Sequence, residues 1–164
     1  MVLARVARKL WAYQVPRQGA AETYPARVMN GPSVVLIDQF AGSDGDIFPE
    51  SIRIHGIAPL IGTRTWGGVV GIRADKPHLD QGVTSQPEFA WLDPRKEGDA
   101  AWSVENDGVA PDIEVDLTPA DRMNGKDPQL AKGIEVLLEK LKANPPKPMP
   151  NPPYPNRSRA RDIK

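Results

Sequence analysis

Ser43 follows a short apolar run and precedes two aspartates, an arrangement that can present a nucleophilic hydroxyl. Residues 33–37, Ser-Val-Val-Leu-Ile, follow Gly-Pro and have the apolar continuity of a strand buried on both faces. Serine and aspartate often begin helices, because their oxygens accept unpaired backbone N–H groups. Residues 33–48 therefore predict a strand, a tight turn and a helix start, with Ser43 at the turn. This geometry suits acyl transfer, with free N–H groups beside the hydroxyl, and a plain helix cap is the alternative.

Glu105 and the two histidines are the other residues whose types suit acid–base chemistry. Glu105 directly precedes an Asn-Asp-Gly turn, which can hold its carboxylate at a strand end; an exposed turn carboxylate is the alternative. His55 lies in a segment with helical spacing of apolar residues, where we expect a half-buried structural histidine rather than a base. His78 lies in a turn without an evident partner. These residues alone do not identify a base.

Asp44 and Asp46 are also candidates for cation binding. They lie on either side of Gly45, directly after Ser43. Two closely spaced carboxylates fall short of the five or more oxygen ligands that a calcium loop supplies. We therefore expect no metal at this position.

The composition argues against several functional classes. The 164 residues carry 21 Lys and Arg against 21 Asp and Glu, so nothing favours nucleic-acid binding. The chain has no cysteine and only two histidines, which excludes disulfides and thiolate catalysis and argues against a histidine-rich metal site. No apolar run reaches the ~20 residues that cross a bilayer, and residues 1–13 lack a signal-peptide core. These features predict one cytoplasmic domain without membrane or nucleic-acid partners.

Helical and strand patterns surround the serine turn. Apolar spacing predicts a helix over residues 2–13, followed by a loop over 14–31 with room for a short strand. A second helix is predicted over 49–60, and a second strand over 59–65 leads into the glycine-rich stretch 66–72. This strand–helix–strand succession predicts parallel pairing with a right-handed crossover.

The C-terminal part combines a β-rich section, one helix and a proline-rich tail. Candidate strands lie at 82–85 and 88–92. Asp127 and Pro128 predict the start of the last helix as N-cap and first-turn residue. The predicted buried stripe of this helix consists of Leu130, Ile134, Leu137, Leu138 and Leu141. Seven of the 18 prolines lie between residues 145 and 155, and basic residues follow. We expect an extended tail, either an intramolecular strap or a ligand for a partner.

Four segments in sequence order resemble the catalytic domain of tricorn-type proteases. They read GSDGDIFP from residue 42, PLIGTRTWGGVVGI from 59, GVTSQPEF from 82 and VENDGVAPDIEVDLTP from 104. Tricorn-type proteases belong to the tail-specific, C-terminal-processing serine peptidases of family S41. Four motifs in register are more specific than Gly-Ser-x-Gly alone and favour a nucleophilic Ser43 over a plain helix cap.

The resemblance implies a role for three residues. Ser43 matches the serine that attacks the peptide carbonyl and forms an acyl-enzyme, and the backbone N–H of Asp44 matches one donor of the oxyanion hole. Glu105 matches the glutamate of a Ser-His-Ser-Glu tetrad. This agrees with the chemistry, because a serine hydroxyl is a poor nucleophile until an oriented base accepts its proton. The resemblance implies no metal and no cofactor.

Two departures from the family pattern narrow this interpretation. Other tail-specific proteases place a catalytic lysine where this chain has Gly68, and glycine cannot act as a base, so the chain fits the histidine-dependent tricorn branch. The family histidine and its neighbouring serine come from a segment upstream of this region, and neither His55 nor His78 stands in a matching motif. We therefore expect a fragment that holds the nucleophile and the glutamate but lacks the catalytic histidine.

The resemblance also implies a fold, a domain division and partners. We expect an α/β, crotonase-like (Clp-protease-like) fold of stacked βα units. Residues 1–143 would form the C-terminal part of the catalytic domain, and 144–164 a proline-rich, basic tail. Peptide substrates are implied, together with an upstream remainder that carries propeller, PDZ-like and histidine-bearing segments and a homo-oligomeric full-length form. The alternative is a non-catalytic fragment or pseudoenzyme that binds peptides or mediates oligomerisation.

Overall fold

Short strands and helices alternate along the chain, as a mixed α/β protein requires. The structure is a computed structural model that describes residues 2–102, 104–149 and 152–155. In chain order its elements are α1 (Leu3–Val6), β1 (Ala12–Gln14), β2 (Glu22–Tyr24), β3 (Val35–Ile37), α2 (Asp44–Ile54), β4 (Leu60–Gly62), β5 (Gly71–Arg73), β6 (Gln86–Phe89), a 3-10 helix (Gly98–Trp102), β7 (Ile113–Glu114), α3 (Pro119–Met123) and α4 (Pro128–Ala143).

The strand that precedes Ser43 lies at one edge of a three-stranded sheet. Strands β3, β4 and β7 pair in that order, and both pairings are parallel. Ile61 of the central strand lies opposite Leu36 on one side and Ile113 on the other. The predicted parallel pairing of the strands that flank the serine turn is therefore confirmed.

Helices α2 and α4 pack against this sheet and close the core. Helix α2 contacts β3, and helix α4 contacts β3 and β4. Ile52 of α2 is 1% exposed, and Leu60 and Ile61 of β4 are fully buried. Burying an aliphatic side chain of this size contributes about 1.5–3 kcal/mol to folding. The core therefore anchors the start of α2, and with it Ser43, to the end of the sheet.

The boundaries of the helix after Ser43 differ from the prediction. A helix over 49–60 was expected, whereas α2 begins at Asp44 and ends at Ile54. Gly56 has a φ of +58°, a left-handed conformation that ends helices. Leu60 is already paired in the sheet, and the Val35 N–H donates to the Pro59 carbonyl. Leu60, which periodicity alone assigned to the end of the helix, therefore pairs in the sheet instead.

The helix predicted over residues 2–13 is also wrong. Only Leu3–Val6 is helical, and Ala12–Gln14 pairs as an antiparallel strand with Glu22–Tyr24. The Trp11 ring contacts the Tyr24 ring edge to face, with centroids 5.4 Å apart. Helix propensity is a weak preference, and this pairing with its aromatic contact outweighs it. Strand β2 is the short strand for which the predicted loop over 14–31 had room.

The β-rich section contains one strand where two were expected. Strand β6 covers Gln86–Phe89, which begins directly after the predicted range 82–85 and overlaps the start of the range 88–92, and it pairs antiparallel with β5. Gly71 of β5 lies directly under the Phe89 ring, which a side chain at this position would overlap. This close cross-strand contact fixes the register that the sequence pattern left open.

Apolar residues on β3 and α4 are more exposed than predicted. Leu36 is 40% exposed, so β3 is not buried on both faces, and Leu130, Ile134 and Leu138 of α4 are 49–60% exposed. The buried residues of α4 are Gln129 and Gly133. Because Gly133 has no side chain, α4 lies close to β3 at this residue. The apolar stripe of α4 therefore lies beside this contact and not within it.

The tail makes a polar contact with the N-terminal region. The Tyr154 hydroxyl donates a hydrogen bond of 2.7 Å to the carbonyl of Pro16. This contact favours the intramolecular strap over a free partner ligand. The predicted basic end of the tail, from Arg157 to Lys164, lies outside the described residues.

Asp127 provides a test of the last helix. Its carboxylate accepts a hydrogen bond of 2.8 Å from the Leu130 N–H, and Pro128 follows in the first turn, as predicted. We expect Asp127→Ala to lower the free energy of unfolding by about 1 kcal/mol, the usual worth of an N-cap, as measured by urea denaturation. Lys126→Ala, one residue earlier, is the control. Equal stabilities of the two variants would contradict the assignment.

Candidate active site

Ser43 lies at the N-terminus of α2 in an uncommon backbone conformation. It occupies the N-cap position with φ 56° and ψ −114°, and its side chain makes no capping hydrogen bond. The residue is exposed, so the hydroxyl is free to react. Positive φ is unfavourable for a residue with a Cβ atom, and such strain is concentrated at functional sites. A nucleophile on a sharp strand-to-helix turn has this geometry.

Hydrogen bonds on both sides hold the Ser43 backbone in place. The Ser43 N–H donates to the Gly68 carbonyl at 2.9 Å. The Ser43 carbonyl accepts from the N–H groups of Asp46 at 2.9 Å and Ile47 at 3.0 Å. The strained conformation is therefore fixed by the helix on one side and by the glycine-rich segment on the other.

The backbone N–H of Asp44 is free next to the serine. Within the described part of the chain it has no hydrogen-bond acceptor. Asp44 is also the first residue of the 11-residue helix α2, and the N-terminus of a helix carries partial positive charge. A free N–H at a helix N-terminus is suited to stabilise an oxyanion.

Glu105 reaches the same cleft as Ser43, although 62 positions separate them in the sequence. The cleft has a volume of about 570 Å³, and its lining residues are Ser43, Trp66, Gly67, Gly68, Val70, Ile72, Glu105 and Asn106. Glu105 Oε2 accepts hydrogen bonds from the N–H groups of Val69 at 2.7 Å and Val70 at 2.8 Å. The carboxylate is therefore half-buried and bonded, and is not the exposed turn carboxylate of the alternative interpretation.

The turn that carries Glu105 is strained on both sides. Val104 has a φ of 85° and Asn106 a φ of 60°. A positive φ is a clear outlier for a β-branched residue such as Val104. The Asn106 N–H donates to the Gly67 carbonyl at 2.7 Å, so the turn is held against the glycine-rich segment.

Two glycines allow this close approach of backbones. Gly67 has a φ of 82°, and a Cβ atom there would lie 2.5 Å from the Gly108 nitrogen. Gly108 has a φ of 66°, and a Cβ atom there would overlap the Thr65 carbonyl oxygen. The buried Thr65 hydroxyl accepts from the Val109 N–H at 2.7 Å. The segment with the Trp-Gly-Gly motif and the segment with the Asn-Asp-Gly motif therefore contact each other through their backbones.

Asp46 also belongs to the site, although its sequence position suggested only a possible cation ligand. Its carboxylate is fully buried, and its two oxygens accept the N–H groups of Gly67 at 2.8 Å and Gly68 at 3.1 Å. Both oxygens are thus occupied by backbone donors. An acidic residue in the first turn after the serine was the available signal, but the sequence does not show which donors it meets.

Gly68, the position at which the resemblance led us to consider a lysine base, lies under the ring of Trp66. A Cβ atom at Gly68 would lie 2.8 Å from this ring, and one at Gly42 would lie 2.6 Å from it. The indole is 70% exposed and flanks Ser43 in the cleft. A lysine at position 68 does not fit unless the indole moves. Gly68 and Trp66 therefore form one local arrangement.

Neither histidine belongs to the cleft. His55 is the C-cap residue at the far end of α2 and is exposed, whereas a half-buried position was expected. His78 Nε2 lies 2.7 Å from the Thr84 hydroxyl in an exposed turn. Among the described residues, those that line the cleft include no histidine and no lysine.

A second cavity lies on the other side of the glycine-rich segment. It has a volume of about 270 Å³ and is lined mainly by apolar residues, including Val69, whereas Val70 lines the Ser43 cleft. Asp93 lies at its rim and is bonded by Arg95, with contacts of 2.8 and 2.6 Å. The side-chain hydrogen bonds from Arg95 hold the pKa of Asp93 well below its usual range.

The described ranges contain neither a candidate metal cluster nor a candidate membrane span. Residues 2–102, 104–149 and 152–155 contain no group of three or more His, Cys, Asp or Glu side chains that could hold a metal ion. In the same ranges no helix has both the length and the apolar character that crossing a bilayer requires.

The groups in the Ser43 cleft indicate a class of reaction, and comparison with known sequences identifies the family. A strained serine, a free N–H at a helix N-terminus and a bonded glutamate are the parts of an acyl-transfer site. The model of peptidase family S41 matches residues 2–115, and the chain belongs to this family.

The similar proteins include tricorn proteases, of which this chain corresponds to a small part. The tricorn protease of Thermoplasma acidophilum is 42% identical over 143 residues, which are 87% of this chain and 13% of that protein. Tricorn protease homolog 1 of Streptomyces coelicolor is 40% identical over 154 residues, 93% of this chain and 14% of that protein. A crystal structure of the tricorn protease matches with a TM-score of 0.77 at 42% identity, over 86% of this chain and 13% of the solved one.

Proposed function

We propose that this chain is the nucleophile-bearing part of a tricorn-type serine peptidase that hydrolyses peptides through an acyl-enzyme. The observation that carries the proposal is the strained, exposed Ser43 at the start of α2, beside the free N–H of Asp44. A helix-capping serine would have a bonded hydroxyl and an ordinary backbone conformation. The membership of peptidase family S41 supports the same reaction.

The proposed reaction assigns one step to each group. The Ser43 hydroxyl attacks the peptide carbonyl carbon, and its proton passes to a base while the carbonyl oxygen becomes an oxyanion. The Asp44 N–H donates to that oxyanion, with the N-terminal end of α2 behind it. Collapse of the tetrahedral intermediate expels the amine and leaves an acyl-serine, which water then hydrolyses.

Glu105 is proposed to orient the base. Its Oε2 is occupied by the Val69 and Val70 N–H groups, and Oε1 has no hydrogen-bond partner within the described ranges. An oriented carboxylate with one unbonded oxygen can hold the next group of a tetrad in a fixed direction. The strained turn around Glu105 supports this role, because it fixes the carboxylate at the cleft.

The base is proposed to come from outside this chain. The described residues lining the cleft supply no histidine or lysine. The chain covers 13–14% of the length of the tricorn relatives, so most of their length has no counterpart in it. In this proposal residues 1–143 are the C-terminal part of a crotonase-like catalytic domain and 144–164 its proline-rich tail. The upstream remainder supplies the histidine, in a cytoplasmic, homo-oligomeric protein that acts on peptides.

Covalent labelling tests the proposed nucleophile. We expect a fluorophosphonate probe to modify Ser43 in a protein that joins this chain to its histidine-bearing upstream part. Trypsin releases residues 28–53 as one peptide, which contains Ser33, Ser43 and Ser51. Fragment-ion mass spectrometry then assigns the adduct. Modification of Ser33 or Ser51 instead, or no modification in a protein that hydrolyses peptides, would refute the assignment.

The isolated 164-residue chain is expected to be almost inactive. Without a base the hydroxyl stays protonated at neutral pH, and general-base assistance is worth about 10²–10⁴ in rate. The measurement is hydrolysis of fluorogenic peptides by the isolated chain and by the joined protein. Fast turnover by the isolated chain, abolished by Ser43→Ala, would contradict the missing base and would return His55 or His78 to consideration.

A non-catalytic module is the alternative function, and one observation favours it. Among the described residues that line the Ser43 cleft there is no histidine or lysine, and a peptide-binding or oligomerisation module needs neither. The labelling experiment distinguishes the two functions. A joined protein that binds peptides but neither reacts with the probe nor hydrolyses them would establish the module.

A further inference from the structure

We infer that Asp46 is a positioning residue: its buried carboxylate fixes the acceptor of the Ser43 N–H and so holds the nucleophile and the neighbouring Asp44 N–H in their reactive arrangement. The consequence for catalysis rests on the proposed function, whereas the positioning itself is a property of the folded chain.

Asp46 closes a ring of hydrogen bonds around Ser43. The Asp46 N–H donates to the Ser43 carbonyl at 2.9 Å. The Asp46 carboxylate accepts from the Gly67 and Gly68 N–H groups at 2.8 and 3.1 Å. The Gly68 carbonyl in turn accepts from the Ser43 N–H at 2.9 Å. Each backbone polar group of Ser43 therefore has a partner that is Asp46 itself or a residue bonded by Asp46, and the Ser43 carbonyl accepts from Ile47 as well.

Two carboxylates divide four successive backbone donors between them. Asp46 accepts from Gly67 and Gly68, and Glu105 accepts from Val69 and Val70. The Gly68 carbonyl that accepts from Ser43 shares its peptide unit with the Val69 N–H, so Glu105 also holds that peptide. Asp46 differs from Glu105 because it holds the preceding peptide through the Gly68 N–H and also donates directly to the Ser43 carbonyl.

An asparagine at position 46 removes one acceptor while it preserves the shape of the side chain. Its NH₂ group is a donor and would face the N–H of either Gly67 or Gly68. Asp46 is fully buried, so water does not replace the lost acceptor. One of these two N–H groups then loses its acceptor, which loosens the segment that bonds the Ser43 N–H and lets Ser43 relax from a φ of 56°.

Amide hydrogen exchange in the 164-residue chain tests the positioning directly. In Asp46→Asn we expect exchange at Gly67, Gly68 and Ser43 to accelerate about tenfold or more, the factor that corresponds to one lost hydrogen bond. In Asp112→Asn, the matched control, we expect acceleration at Leu60, whose N–H donates to the Asp112 carboxylate at 2.7 Å, but not at Ser43. Unchanged exchange at Ser43 in a folded Asp46→Asn chain, or equal acceleration at Ser43 in both variants, overturns the inference.

A measurement on the unaltered chain covers the case in which Asp46→Asn does not fold. Exchange is followed at low urea concentrations, where amides that open together share one dependence on denaturant. We expect Ser43, Gly67 and Gly68 to open as one unit. A separate opening of Ser43, at lower denaturant than the two glycines, overturns the inference without any substitution.

Kinetics in the joined protein separate this inference from the proposed function. We expect Asp46→Asn to lower kcat about tenfold or more and to change KM little, because it displaces the nucleophile rather than the substrate. A folded Asp46→Asn protein with unchanged kcat overturns the role in catalysis. If Ser43→Ala leaves activity intact, the proposed function fails, and hydrogen exchange still decides whether Asp46 positions Ser43.

Discussion

Replacement of Ser43 by alanine is expected to lower kcat for peptide hydrolysis by roughly 10⁶-fold in the joined protein. Nucleophile, base and orienting group act as a unit, so loss of the nucleophile removes nearly all of their joint contribution. A residual rate about 10³–10⁴ above that in water is expected, because the oxyanion donors and substrate binding remain. The measurement is the initial rate with a fluorogenic peptide at saturating concentration.

Ser51 provides the matched control for this substitution. It lies on the same helix, and its hydroxyl donates to the Ile47 carbonyl at 2.8 Å, away from the cleft. Ser51→Ala should leave kcat within about twofold, since the lost hydrogen bond is local to the helix. A drop in kcat of similar size in both variants would show that helix α2, rather than the Ser43 hydroxyl, limits the activity.

Replacement of Gly62 or Gly108 by alanine is expected to give the largest losses of stability, about 3 kcal/mol or more each. Gly62 has a φ of +136°, and a Cβ atom there would overlap the Ile37 carbonyl oxygen of the neighbouring strand. Gly108 has a φ of +66° and would place its Cβ atom on the Thr65 carbonyl. Backbone strain and overlap with a second backbone add, because neither neighbour is a flexible side chain.

Gly98 separates the effect of backbone strain from that of overlap. It has a φ of +61°, and a Cβ atom there would meet nothing within 4 Å. Gly98→Ala should cost only the left-handed conformation, about 1–2 kcal/mol. The free energy of unfolding from urea denaturation is the measurement for all three variants. A Gly62→Ala chain as stable as Gly98→Ala would show that the two strands separate easily at this point.

The sequence predicted the elements that local signals define. The strand before Ser43, the helix start behind it and the Asp127–Pro128 start of α4 lie where the sequence analysis placed them. Each depends on a few adjacent residues, such as a capping oxygen or a proline without an N–H. These local signals were therefore sufficient to predict the strand and the helix start that position Ser43.

The elements that the sequence did not predict depend on distant partners. Residues 2–13 have helical spacing, but two of them, Ala12 and Tyr13, pair as a strand with residues of Glu22–Tyr24. The apolar stripe on α4 was predicted to be buried, but α4 approaches β3 at Gly133, and residues of the stripe remain exposed. The donors that Asp46 and Glu105 meet are backbone N–H groups 21 to 36 positions away. Every residue except proline carries such a donor, so side-chain pattern contains no signal for them.

The contact between Trp66 and Gly68 couples two positions beside the nucleophile. A side chain at position 68 would meet the indole, so Gly68→Lys brings an amine toward Ser43 only if the Trp66 ring moves as well. Removal of the indole alone would uncover Gly42 and Gly68 without supplying a base. A redesign of this cleft around a lysine therefore has to treat positions 66 and 68 as one unit.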